Sequence, residues 1–86
     1  MECSVEISMY PLNTNYKSAI INFIKCLRKH PFIIIETNGM STQVFGDYKR
    51  VMRAINIEIQ NTFEKYGKVV FNMKVINGNL SEKPQF

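Results

Sequence analysis

The stretch TNGMSTQVFGDYKRVM, residues 37–52, holds a hairpin turn, a polar-rich strand and a capped helix start with no gap between them. Asn38-Gly39 tolerates positive φ at both positions and so predicts a two-residue type I′ turn between antiparallel strands. Counting outward, that turn sets Glu36 opposite Ser41, Ile35 opposite Thr42, Ile34 opposite Gln43 and Phe32 opposite Phe45. Side chains alternate across a strand, so Ile33, Ile35, Thr37, Met40, Thr42 and Val44 share one sheet face. Phe32, Ile34, Glu36, Ser41, Gln43 and Phe45 share the other.

The flanking segments follow from the same periodicities. Cys3, Val5, Ile7 and Met9 alternate with Ser4, Glu6 and Ser8, which predicts a half-buried strand that Tyr10-Pro11-Leu12 ends. Asn13, Thr14 and Asn15 offer N-cap side chains to a helix whose apolar stripe is Tyr16, Ala19, Ile20, Phe23, Ile24 and Leu27. Pro31 biases His30 away from helical geometry and stops it. Past the hairpin strands, Phe32–Thr37 and Met40–Phe45, Gly46 and Asp47 lead into a second helix capped by Asp47. Its stripe is Tyr48, Val51, Met52, Ile55, Ile59, Phe63 and Tyr66, with Gly67 as its stop. Lys68 to Ile76 alternates again, with Val69, Phe71, Met73 and Val75 facing one way.

The order β-α-β-β-α-β is the ferredoxin-like, or split βαβ, pattern: an α+β sandwich of a four-stranded antiparallel sheet with both helices on one face and the first and third strands central. The helix side takes Val5, Ile7, Met9, Ile33, Ile35, Val44, Val69, Phe71 and Met73 as core. The open side takes Glu6, Ser8, Tyr10, Glu36, Ser41, Gln43, Phe45, Asn72 and Lys74. Residues 1–78 read as one domain and 79–86 as a polar, flexible C-terminal tail.

Eighty-six residues at 45% hydrophobic content describe a small globular domain. A chain this short buries only about 60% of its unfolded surface, which favours association of subunits. The net charge of +4 is carried by cations on the two helices, which read as solvated faces. Cys3 and Cys26 have no metal-ligand spacing and read as small buried hydrophobes in a reduced, cytoplasmic protein. The longest apolar run, Phe32–Ile35, spans no membrane, and no signal peptide is expected.

No constellation in the sequence carries catalysis. His30, the single histidine, sits where its ring would cap a helix end. Glu6 and Glu36 are assigned to strands that are not neighbours, and the loop after the first strand has no arginine with which an acylphosphatase-like enzyme would hold phosphate. Tyr10 and Phe45 are the aromatics on the central strands of the open face, but Glu6 and Glu36 would repel a phosphate backbone, so no nucleic acid is expected. Phe32, Ile34, Phe45, Val70 and Ile76 form an apolar area that needs cover, which predicts a homodimer or homotetramer through the open face. A small-ligand pocket beside such an interface is compatible with it.

Three segments, Val5-Glu6-Ile7-Ser8-Met9-Tyr10-Pro11-Leu12, Glu36 to Tyr48 with its Met40-Ser41-Thr42-Gln43-Val44-Phe45-Gly46 core, and Gly67-Lys68-Val69-Val70-Phe71, resemble the YKOF-like family of thiamine and hydroxymethylpyrimidine-binding proteins. The resemblance covers the chain to about Gly78. It implies a ferredoxin-like fold, non-catalytic binding of thiamine or its pyrimidine half in salvage or transport, no further cofactor, and assembly into dimers or tetramers. An aminopyrimidine asks for a carboxylate or amide at its amino group, donors at its ring nitrogens and a flat apolar surface. Glu6, Ser8, Glu36, Ser41, Gln43 and Asn72 supply the polar groups, and Tyr10 or Phe45 the stacking surface. Thr42 is assigned to the core face with a structural hydroxyl, and Lys74 is expected to pair with Glu6. The alternative is a structural or regulatory homo-oligomer whose open face serves only subunit packing.

Overall fold

A computed structural model describes residues 1–12 and 15–86. It contains β1 (Glu2–Pro11), α1 (Tyr16–Leu27), β2 (Ile33–Thr37), β3 (Thr42–Asp47), α2 (Tyr48–Tyr66) and β4 (Val69–Ile76). The strands form one antiparallel sheet in the order β2-β3-β1-β4, which is the expected ferredoxin-like arrangement with β3 and β1 central. None of its described helices is long and apolar enough to cross a membrane.

The core forms where the helix stripes meet the sheet. Cys3, Val5 and Ile7 from β1, Val44 from β3, Phe23 and Leu27 from α1, and Val51, Ala54 and Ile55 from α2 are buried together. Phe71 of β4 adds ring contacts to Phe23 at 5.1 Å and to Phe63 at 5.6 Å. Such tilted and edge-on pairs stabilise by about 0.5–1.5 kcal/mol beyond area burial.

The hairpin register differs from the expected one. Glu36 lies opposite Gln43 and Ile34 opposite Phe45, so residues 38–41 form the connection in place of a two-residue turn. Neither Asn38 nor Gly39 takes a positive φ. Instead, the Asn38 carboxamide oxygen accepts from the Met40 and Ser41 amides at 2.8 and 3.1 Å, and the Asn38 amide donates to the Ser41 carbonyl. This side-chain turn competes with the type I′ geometry and wins. The register moves by an even number, so every side chain still paired in β2 and β3 keeps its predicted face, while Met40 and Ser41 pass into the connection.

Phe32 leaves the strand altogether. It has φ 64° and is 76% exposed, with the Arg50 guanidinium 4.7 Å above its ring. Its carbonyl closes on Gly46, which sits at φ +150°, and a Cβ added at Gly46 would lie 3.3 Å from that oxygen and 3.4 Å from Val51.

Asp47 caps α2 as expected, accepting from the Arg50 amide, and Gly67 ends it at φ 75°. For α1, Asn15 holds the N-cap position without a side-chain capping bond, and the candidate caps Asn13 and Thr14 lie outside the described residues. The buried face of α2 is Val51, Ala54, Ile55, Glu58 and Thr62, rotated from the predicted stripe, so that Phe63 and Tyr48 are left nearly half exposed. Polar residues are tolerated there because they are satisfied. His30 Nε2 lies 2.7 Å from Glu58 Oε2, Asn61 donates to the other carboxylate oxygen, and the Thr62 hydroxyl donates to the Glu58 carbonyl. The His30 ring therefore ties the end of α1 to α2 and does not cap α1 carbonyls.

Gly46→Ala should lower stability by about 1–3 kcal/mol, because the alanine Cβ would combine an unfavourable φ with the close Phe32 carbonyl. Chemical denaturation measures this; an unchanged midpoint would show that the β3–α2 junction relaxes freely.

Candidate functional site

The open face is ordered in rows that run across all four strands. Glu36, Gln43, Glu6 and Lys74 pair in sequence from β2 to β4. Beside them, toward the chain ends of the sheet, run Ile34, Phe45, Ser4 and Ile76. On the other side Ser8 faces Asn72, and Tyr10 faces Val70.

Glu6 is the hub of the polar groups. One carboxylate oxygen lies 3.5 Å from Lys74 Nζ, and the other accepts from the Ser41 hydroxyl at 3.1 Å. The Lys74 partner is the one expected from sequence. Glu6 and Glu36 do not meet, because Gln43 on β3 stands between their strands.

The candidate site residues divide between two hollows. A cleft of about 270 Å³ is lined by Ser8, Tyr10 and Ser41, with Met9, Thr37, Met40, Thr42 and the α1 residues Ile20, Phe23 and Ile24. A second hollow of about 360 Å³ on the open face is lined by Glu6, Gln43 and Phe45, with Ser4, Lys74, Ile76 and Leu80. Glu36 and Asn72 are exposed and line neither.

The cleft has a simple origin. β1 continues to Pro11, whereas its pairing with β3 stops at Ile7 opposite Thr42. Beyond Ile7 the 38–41 connection bends away, and the space it leaves between β1 and α1 is the cleft. Thr37 and Thr42 border it with their hydroxyls 3.0 Å apart. Sequence reading assigned Thr42 to the core and gave Thr37 no site role. A threonine pair on the core face, where β-branched aliphatic residues would pack better, was the available signal.

Phe45 is not the open stacking platform expected of it. It is 3% exposed, on the side of the sheet away from the helices. The chain after β4 turns back over this side. The Ser4 hydroxyl donates to the Gly78 carbonyl at 2.6 Å and accepts from the Leu80 amide at 2.8 Å, while the Asn79 side chain donates to Glu2. Phe45 and Leu80 then line the same hollow.

The cysteines lie apart from these groups. Cys3 is fully buried, and burial above all, with the nearby Glu2 and Asp47 carboxylates, pushes its thiol above the ordinary value. A thiolate nucleophile is disfavoured there. Among the described residues no three His, Cys, Asp or Glu side chains gather as a metal site.

No family model matches the chain, and no curated protein matches it by sequence. Solved structures do. The chain is similar to a Streptococcus pneumoniae protein at 18% identity and a TM-score of 0.83, over 93% of this chain and 90% of that one. It is similar to a Thermotoga maritima protein provisionally assigned to thiamine biosynthesis or salvage, at 14% identity and a TM-score of 0.80, over 91% and 85% of the two chains. A Bacillus cereus domain of unknown function, DUF77, gives 12% identity and a TM-score of 0.77 over 99% and 84%. At these identities the likeness establishes the fold.

Thiol reagents should label Cys26, which is partly accessible, in the folded protein and Cys3 only at the rate of unfolding. The folded state holds the Cys3 proton above the pH at which the unfolded chain releases it. Stability from this group is therefore complete below about pH 8.5 and declines as pH rises further. Fast labelling of both thiols, or a denaturation midpoint flat from pH 8 to 10, would contradict the burial of Cys3.

Proposed function

We propose that this chain binds thiamine or its hydroxymethylpyrimidine half without catalysing a reaction, in thiamine salvage or transport, and that the ligand sits in the cleft between β1, α1 and the 38–41 connection. The observation that carries this reading is that the Met40-Ser41-Thr42 motif lines the cleft together with Ser8 and Tyr10. The resemblance of the three segments quoted above to the YKOF-like family supports it. So does the similarity in fold to a protein provisionally assigned to thiamine biosynthesis or salvage.

The chemistry fits one flat polar ring. Hydroxyls of Ser8, Thr37, Ser41 and Thr42 offer donors and acceptors to ring nitrogens and an amino group. Tyr10 and Met40 offer surface for the ring face. Glu6, bonded to Ser41, brings a carboxylate to the cleft's rim, where it favours an amino group or a thiazolium cation. A volume near 270 Å³ falls just below the range of about 300–1,000 Å³ usual for drug-sized ligands, which suits the pyrimidine half better than the two-ring vitamin.

A second reading, a homo-oligomer built through the open face, is favoured by a separate observation. Ile34 and Ile76 are 55% and 49% exposed there, at the two ends of the row that holds the buried Phe45.

A thermal-shift titration with hydroxymethylpyrimidine and thiamine tests the binding reading. Ligand at about a hundred times its Kd adds roughly 2.7 kcal/mol, which raises the Tm of a domain this small by about 10 °C or more. Thr42→Val and Ser41→Ala should each weaken binding about tenfold, whereas Glu36→Ala should leave it unchanged. No shift at millimolar ligand would sink the proposal, and loss on Glu36→Ala alone would move the ligand to the open face.

A further inference from the structure

We propose that the hollow on the open face, between the sheet and the segment after β4, binds a free α-amino acid with an apolar side chain, and that Glu6 and Lys74 hold the two charges of that molecule. The hollow lies on the side of the sheet away from the helices, so the inference does not rest on the cleft or on its ligand.

Two rows of side chains build it. Ser4, Phe45 and Ile76 lie at one end, and Gln43, Glu6 and Lys74 at the other. Leu80 completes the apolar end from the returning chain, where its amide donates to the Ser4 hydroxyl and that hydroxyl donates to the Gly78 carbonyl. Segment and sheet thus bound the space together. Its volume of about 360 Å³ lies inside the range of about 300–1,000 Å³ usual for small-molecule sites. Ile76 and Leu80 are still 49% and 60% exposed, so an apolar group lodged against them covers surface that the fold by itself leaves wet.

The polar end selects the rest of the ligand. Glu6 Oε1 and Lys74 Nζ stand 3.5 Å apart on neighbouring strands, with side chains 40% and 85% exposed. An ion pair so open to solvent contributes little stability. Its geometry is nonetheless set, because the Ser41 hydroxyl donates to Glu6 Oε2 and leaves Oε1 to Lys74. An α-amino acid carries an ammonium and a carboxylate on one carbon. Laid antiparallel on the pair, it sets its ammonium against Glu6 and its carboxylate against Lys74, and the carboxamide oxygen of Gln43, opposite Glu6 on β3, adds an acceptor for the ammonium. The side chain of the ligand then turns to the row of Phe45 and Ile76.

Other small ligands fit less well. A phosphate or a dicarboxylate would bring negative charge to Glu6, and a diamine would bring positive charge to Lys74. A neutral apolar molecule would leave the pair unengaged. Juxtaposed like charges are strongly disfavoured, so a zwitterion with one apolar arm is the complement of this surface.

Amide NMR of the full chain, titrated with L-leucine, reads affinity and place together, and circular dichroism melts verify the fold of each variant. Leucine should shift the resonances of Phe45, Lys74, Ile76 and Leu80 and leave those of Ile20 and Ile24, in the cleft, where they are. Isocaproate lacks the ammonium, isoamylamine lacks the carboxylate, and glycine lacks the apolar arm. Each should bind at least about tenfold more weakly than leucine. Lys74→Gln should weaken leucine binding at least about tenfold, whereas Lys74→Arg should keep it within about threefold. Absence of shifts at millimolar leucine overturns the proposal and leaves the cleft reading intact. Shifts confined to the cleft overturn the site. Isocaproate or isoamylamine binding as tightly as leucine, or leucine binding unchanged in Lys74→Gln, overturns the pairing of charges.

Discussion

β1 is the strand on which the molecule depends. Its backbone joins two antiparallel ladders, to β3 on one side and to β4 on the other, so its alternation decides both faces of the sheet. Cys3, Val5 and Ile7 point into the helix layer and are sealed there. Ser4, Glu6 and Ser8, one position off, carry in turn the C-terminal segment, the ion pair with Lys74 and one wall of the cleft. A one-residue slip of this strand would bury Glu6 in place of Val5, and neither ladder could form with the core intact.

The architecture was legible because it rests on periodicity. Alternation in the strands, spacing in the helices and the Asp47 and Gly67 boundaries gave the element order and the sheet faces. Even the wrong turn type did no harm to the faces, since a shift of two residues preserves parity. What escaped the sequence were side-chain bonds between distant segments. Glu58 reads as a solvent residue on its helix until His30 arrives from the end of α1. Phe45 reads as an open aromatic until a serine hydroxyl draws the chain end back beside it. Neither partner has any local signal.

The site residues were legible by type and less so by place. The open-face group was assigned as one pocket, yet the unequal lengths of β1 and β3 part it into a cleft that reaches the helix side and a shallow hollow on the far side. That inequality follows from where Asn38 closes its turn, a competition of local hydrogen bonds that hydrophobic pattern does not register. Glu6 and Ser41 are the pair that still links the two regions.

The short β2 strand gives the cleft an uneven mechanical character. β2 spans five residues and is bonded to β3 alone, while β1 is held on both sides. Local opening in proteins begins where few bonds and little burial oppose it, and an edge strand with an exposed connection is such a place. One wall of the cleft thus belongs to a strand bonded on both sides, and the other, carrying Thr37 and the 38–41 connection, to a short edge strand. The two walls of the cleft therefore differ in how firmly the sheet holds them, although they stand side by side.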